Sequence, residues 1–114
     1  MSAITTHVLD TALGRPAAGI AVVLDRRDAS GQWAEVGRGQ TDTDGRLKTL
    51  YPGSDPPQPA IYRLTFDTQR YFGSLNVKAF YPEVVVVFET KAGESHYHVP
   101  LLLNPFGFTT YRGT

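Results

Sequence analysis

The sequence predicts an all-β sandwich with one short helix, and three observations carry that reading. Short β-rich runs recur along the 114 residues, separated by clusters of Gly, Pro, Asp and Ser, the punctuation of a sandwich or barrel. Ile61 to Asp67 alternates strictly, with Tyr62, Leu64 and Phe66 apolar against Arg63, Thr65 and Asp67. That is the period of a strand with one wet face. Val84 to Phe88 is four valines and a phenylalanine, a run that asks for cover on both faces, inside a sheet or at an interface.

Ile4 to Leu9 forms the first strand and is closed by the Leu13-Gly14-Arg15-Pro16 turn. Ile20, Val22 and Leu24 share one face of the next. Asp28-Ala29-Ser30-Gly31 then turns the chain into a strand from Trp33 to Gly39. In Asp42-Thr43-Asp44-Gly45 the glycine accepts a positive φ without steric cost, and Arg46 opens the strand that follows. Prolines at positions 52, 56, 57 and 59 deprive Tyr51 to Pro59 of a continuous donor ladder, so that segment is a loop. Thr68 to Leu75 is the single helical segment, capped by Asp67 and ended near Gly73. His96 to Leu103 and Phe108 to Arg112 finish the chain around the Asn104-Pro105-Phe106-Gly107 turn. Eight strands and a helix are expected, in one domain spanning residues 1–114.

Eleven basic and eleven acidic side chains cancel, with no block of one sign. A nucleic-acid partner would call for a basic patch or stripe. No run reaches the roughly 20 apolar residues of a membrane span, and the first residues lack the charged and apolar regions of a signal peptide. No membrane partner and a cytoplasmic location are therefore expected. The absence of cysteine removes disulfides, thiolate nucleophiles and thiolate-based zinc sites. No glycine-rich phosphate loop and no Gly-x-Ser-x-Gly elbow occurs. Asp42 to Gly45 is too short for a calcium loop, and the carboxylates are not paired as glycosidase chemistry requires.

Chemistry concentrates in a few places. A terminal segment ordinarily frays, yet Tyr111-Arg112-Gly113-Thr114 combines an aromatic ring, a cation, a glycine and a hydroxyl directly after the apolar run Val99 to Phe108. Such a segment is expected to be tied down; the plain alternative is a closing strand with Arg112 in water. His96 and His98 lie two apart on one strand face. That spacing can chelate zinc, but no third ligand stands nearby in sequence, and neither metal nor cofactor is expected. His7 shares a face with Thr5, and a hydrogen-bonded structural histidine is its plain alternative. Arg46 offers five fixed donors suited to a carbonyl, urea-like or carboxylate group, against a surface salt bridge to Asp42 or Asp44.

Taken in order, His7-Val8-Leu9-Asp10 with Gly14-Arg15-Pro16-Ala17, Thr41-Asp42-Thr43-Asp44-Gly45-Arg46, Pro82 to Phe88, and His96-Tyr97-His98-Val99-Pro100-Leu101-Leu102-Leu103 running into Tyr111-Arg112-Gly113 resemble the transthyretin-related 5-hydroxyisourate hydrolases over nearly the whole chain. The resemblance implies a transthyretin-like sandwich of two four-stranded sheets. It also implies a homotetramer around a central channel with active sites at subunit interfaces, and cofactor-free hydrolysis of 5-hydroxyisourate in urate degradation. It implies His7, Arg46 and His98 as catalytic residues and Tyr111, Arg112, Gly113 and Thr114 as substrate-binding residues. Thr114 stands where the family usually has serine, keeping the hydroxyl and the terminal carboxylate and adding a methyl group. The implied substrate is a strained, electron-poor bicycle whose ring amide opens by addition of water. Imidazole suits the proton transfers, and Arg46 suits the developing oxyanion. Three rivals remain at this point: a transthyretin-type carrier of small ligands, a non-catalytic β-sandwich interaction module, and zinc-dependent hydrolysis at His96 and His98.

Overall fold

Alternation along each strand sorts the side chains onto two faces, and the apolar faces meet between two sheets. Ile4 and Val8, Val22 and Leu24, Leu64 and Phe66, and Leu101 and Leu103 are buried there together with Tyr62 and Ile20. The computed structural model describes residues 2–53 and 55–114; Met1 lies outside the described residues, as does Ser54 within the proline-rich loop. The strands are β1 (Ile4–Asp10), β2 (Arg15–Pro16), β3 (Ala21–Arg27), β4 (Trp33–Gln40), β5 (Arg46–Leu47), β6 (Ile61–Phe66), β7 (Val84–Glu89), β8 (Tyr97–Asn104) and β9 (Gly107–Thr110), with helix α1 (Thr68–Ser74) between β6 and β7. One sheet runs β2-β1-β8-β9 with β5 also on β1; the other runs β4-β3-β6-β7.

The first sheet thus has five strands rather than four. Strand β1, paired with β8 on its other side, is long enough for two short segments to share one side. Pro16 and Arg15 of β2 lie opposite Leu9 and Asp10, while Leu47 and Arg46 of β5 lie opposite Thr6 and His7. The closing strand ends at Thr110 instead of Arg112, and only a single bridge, His98 to Gly113, continues it.

The valine run departs further from expectation. β7 is the last strand of its sheet, paired only with β6. Val84 and Val86 face the core, but Val85 is 41% and Val87 55% exposed. It is not a central strand, because within one chain nothing covers its outer face.

Helix α1 begins where expected. A carboxylate oxygen of Asp67 accepts the Arg70 amide at 3.2 Å, satisfying one of the orphan donors of the first turn. Tyr71 of α1 donates to the buried Asp10 carboxylate at 2.7 Å, and that carboxylate also accepts the amides of Ala12 and Leu13 at 3.0 Å each. Burial first, and then the bond to Asp10, hold the Tyr71 phenol well above its ordinary pKa. This contact fixes the end of β1 against the helix.

Adjacent valines of β7 give a clean test. An aspartate at Val86 would put an unpaired charge between the sheets, at a cost of about 3 kcal/mol or more. Val86→Asp is expected to lower the thermal midpoint by over ~10 °C or to prevent folding, whereas Val87→Asp, on the outer face, should leave the chain folded. Calorimetry on both variants checks the facing of the strand.

Candidate active site

Register builds the site. β1 and β8 run parallel, which sets Thr5 opposite His98 and His7 opposite Pro100. β1 and β5 run antiparallel, which sets His7 opposite Arg46. Residues directly opposite project from the same face of a sheet, so Thr5, His7, Arg46 and His98 emerge together on the side away from the core.

The turn before β5 is preorganised to deliver Arg46. An Asp42 carboxylate oxygen accepts the amides of Asp44 at 2.8 Å and Arg46 at 3.0 Å, and these bonds keep the carboxyl below its usual pKa. Gly45 has φ +76°, and a Cβ there would lie 2.4 Å from the Val8 carbonyl oxygen, so only glycine lets the turn dock on β1. The Val8 amide donates to the Gly45 carbonyl at 2.8 Å. Arg46 itself is exposed. Among the described residues its guanidinium pairs with no carboxylate, and neither Asp42 nor Asp44 takes it.

Both site histidines have hydrogen-bonded rings. His7 Nε2 lies 2.9 Å from the Asp44 carbonyl oxygen. A carbonyl can only accept, so Nε2 carries the proton and Nδ1 keeps the lone pair in the neutral ring. His98 Nδ1 lies 2.8 Å from Thr5 Oγ1, which is also 3.3 Å from His96 Nε2. Burial, followed by the charges of Arg46, His7 and His96, pushes the His98 pKa below the ordinary histidine value. The ring is therefore neutral at neutral pH and able to accept a proton.

A cavity of about 180 Å³ opens over this face, lined by Thr5, Thr6, Arg46, Lys48, His96, His98 and Thr114. Thr6 donates to the Val99 carbonyl at 2.6 Å and is a structural part of the floor. Among the described residues, no third His, Asp or Glu joins His96 and His98 in a metal-holding group.

The terminal tetrapeptide divides. The Gly113 amide donates to the His98 carbonyl at 2.8 Å, and Thr114 reaches the cavity. Tyr111 and Arg112 lie instead along a second, apolar cavity of about 230 Å³ with Val86, Phe88, Tyr97 and Val99. The Arg112 guanidinium sits 4.6 Å above the Tyr97 ring and pairs with Glu94. Of the residues singled out from sequence, Arg46, His98 and Thr114 line one cavity. His7 stands beside Arg46 without lining that cavity, and Tyr111 and Arg112 are elsewhere in a single chain. Thr5 and Lys48 were missed. Each is two residues from a singled-out neighbour, so the strand period could have flagged both.

Two expectations follow from this geometry. A Cβ at Gly113 would lie 2.7 Å from His98 Cδ2 and 3.1 Å from Pro100 Cγ, so Gly113→Ala must displace the ring or the tail. A misplacement of that order is expected to lower turnover by ~10- to 100-fold with the melting temperature nearly unchanged, which steady-state kinetics and calorimetry can check together. The lowered His98 pKa means the unfolded chain takes that proton more readily. Its contribution to stability is thus complete above pH ~6.5 and is lost as pH falls toward the folded value. The acid limb of any His98-dependent activity is expected below pH ~6.5, as a pH–rate profile would reveal.

The family model described as HIUase/Transthyretin family matches residues 4–113. A 5-hydroxyisourate hydrolase of Mus musculus is 46% identical over 114 residues, which cover 99% of this chain and 96% of that protein. Among solved structures, the 5-hydroxyisourate hydrolase of Klebsiella pneumoniae aligns over 100% of both chains with a TM-score of 0.85 and 32% identity. The transthyretin of Sparus aurata aligns over 99% of this chain and 97% of its own with a TM-score of 0.90 and 30% identity. The backbone fits both kinds of protein, and the match from residue 4 to residue 113 spans both sheets and the site: the chain belongs to the HIUase/Transthyretin family.

Proposed function

We propose that this protein is a 5-hydroxyisourate hydrolase that opens a ring amide of its substrate by adding water to the carbonyl, giving 2-oxo-4-hydroxy-4-carboxy-5-ureidoimidazoline. The observation that carries the reading is the meeting of a neutral His98, an exposed Arg46 and Thr114 in one cavity. Relatives at 42% and 46% identity are named 5-hydroxyisourate hydrolase and one at 39% probable 5-hydroxyisourate hydrolase, which favours the enzyme over a ligand carrier on the same backbone.

His98 takes a proton from the attacking water and returns it to the leaving nitrogen. A depressed pKa keeps it in the base form at neutral pH. Arg46, free of carboxylates among the described residues, binds the urea-like edge and the charge growing on the carbonyl oxygen, a contribution of about 3 kcal/mol for a well-placed donor. His7, whose Nε2–H is held by the Asp44 carbonyl, offers Nδ1 as an acceptor for a substrate N–H, and Thr114 lines the cavity. The substrate carbon needs no side-chain nucleophile, since activated water serves.

Homotetrameric assembly with sites at the subunit interfaces belongs to the same proposal. The cavity of about 180 Å³ is smaller than the ~300 Å³ at the lower end of typical ligand pockets, as a half-site would be. β7 and β9 end their sheets on one side with unpaired edges. Val85, Val87, Phe80, Phe106 and Phe108 are exposed around them, an apolar fringe that a second copy would cover. Tyr111 and Arg112, turned away from their own chain's cavity, would act in the assembled site. A cytoplasmic location completes the reading; no helix of the described residues is long and apolar enough to cross a membrane.

The test follows the ultraviolet absorbance of freshly generated 5-hydroxyisourate. Wild-type protein should accelerate its decay with or without a chelator, and His7→Ala, Arg46→Ala and His98→Ala should each cost at least ~100-fold while remaining folded. Loss of activity in chelator with recovery on adding zinc would instead support a metal hydrolase at His96 and His98. Deleting Tyr111 to Thr114 should abolish turnover with little change in melting temperature, because the core strands end before them. Light scattering should give four times the chain mass at micromolar concentration, and a monomer there would defeat the shared-site reading.

A further inference from the structure

The Thr5 hydroxyl touches two imidazoles, with Oγ1 2.8 Å from His98 Nδ1 and 3.3 Å from His96 Nε2. Thr5 is 3% exposed, held in the β1–β8 ladder opposite His98, so its hydroxyl has few other directions to turn. A hydroxyl carries one proton and two acceptor positions. It can therefore donate to one ring and accept from the other, and the choice decides which nitrogen of His98 holds a proton.

We infer that Thr5 and His96 are positioning residues that hold neutral His98 in its Nδ1–H tautomer, leaving the Nε2 lone pair free for the proton transfer. In this arrangement His98 Nδ1–H donates to Thr5 Oγ1, and the Thr5 proton is donated onward to the Nε2 lone pair of His96. Among the described residues His98 Nε2 has no hydrogen-bond partner, so the geometry leaves it available. When His98 accepts a proton from water at Nε2, its Nδ1–H bond to Thr5 persists and strengthens as a charge-assisted bond. The proton then leaves from the same nitrogen, so nothing in the relay has to rearrange during turnover.

The reverse arrangement is unproductive. If His96 instead carried its proton on Nε2, Thr5 could accept from it and turn its own proton to His98 Nδ1. His98 would then hold the Nε2–H tautomer and lose the lone pair that the reaction uses. Among the described residues the Thr5 hydroxyl bonds to no side chain other than His96 and His98, so the tautomer of His96 sets the direction in which the hydroxyl points.

The inference rests on the hydrolytic reading of the site, and its test has a readout independent of activity. In protein labelled with 15N at histidine, long-range 1H–15N spectra at pH ~7.5 should show His98 with a protonated Nδ1 and an unprotonated Nε2. Thr5→Val, which removes the hydroxyl at nearly constant volume, should move the population toward Nε2–H. It should also lower kcat by ~10-fold or more with KM within about twofold, the size usual for loss of a residue that orients a working imidazole. Thr5→Ser should restore both. His96→Ala, at an exposed position that does not affect the core, should shift the tautomer in the same direction and serves if Thr5→Val fails to fold. A wild-type His98 protonated on Nε2, or a Thr5→Val protein with unchanged 15N pattern and kcat, would overturn the inference. A wild-type protein that leaves 5-hydroxyisourate untouched would defeat the hydrolase reading, while the nitrogen shifts would still decide the tautomer.

Discussion

Seven residues of β1 pair in parallel with β8, from Ile4 opposite Tyr97 to Asp10 opposite Leu103, and both the core and the site depend on that ladder. Parallel neighbours cannot be joined by a hairpin. The chain between them instead builds the whole second sheet, whose apolar face closes the core. The register is fixed by burial. Ile4 and Val8 are wholly excluded from water on the inner face, and a slip of one residue would exchange them for the polar Thr5 and His7. The same choice that protects the core therefore places Thr5 beside His98 and His7 beside Arg46 on the outer face.

Much of this was legible in the sequence where the signal is local. The alternation from Ile61 to Phe66 appears as β6 with Tyr62, Leu64 and Phe66 inward, and the Asp67 cap begins α1 where the side chain chemistry requires it. The strand opening at Arg46 appears as β5, whereas the two-residue strand β2 was not separable from a turn, because its pairing is set by β1 and not by its own pattern. Of the two placements open to Val84 to Phe88, inside a sheet or at an interface, the terminal position of β7 in its sheet removes the first. A run that is apolar on both faces must be covered on both, but the cover for Val85 and Val87 is not within one chain. The part Thr5 plays was invisible, since its partner lies 93 residues away in sequence and only a folded register brings them together.

The tail shows how one short segment can serve two surfaces. After Thr110 the chain leaves the ladder and is caught again only at Gly113, whose missing side chain allows it to pass within contact of the His98 ring and Pro100. Residues before that catch, Tyr111 and Arg112, lean toward the edge where β7 and β9 leave their sheets open, and Thr114 after it turns into the cavity. Sequence reading treated the four residues as one functional unit. Their separation follows from the position of the single backbone bridge.

Transthyretin of Sparus aurata shares this backbone at a TM-score of 0.90 and the Klebsiella pneumoniae hydrolase at 0.85, so the fold cannot choose between a carrier and an enzyme. In this chain the choice rests on the chemistry set on the outer face of β1, β5 and β8. The most direct measurement is a crystal structure of the assembled protein with an unreactive purine-dione ring analogue of 5-hydroxyisourate. The account predicts the ring in the cavity beside Arg46, His98 and Thr114, with a carbonyl oxygen within hydrogen-bonding distance of the Arg46 guanidinium and His98 Nε2 facing the carbon that water would attack. A ring bound in the apolar cavity against Tyr97 and Val99, or away from Arg46 and His98, would contradict it.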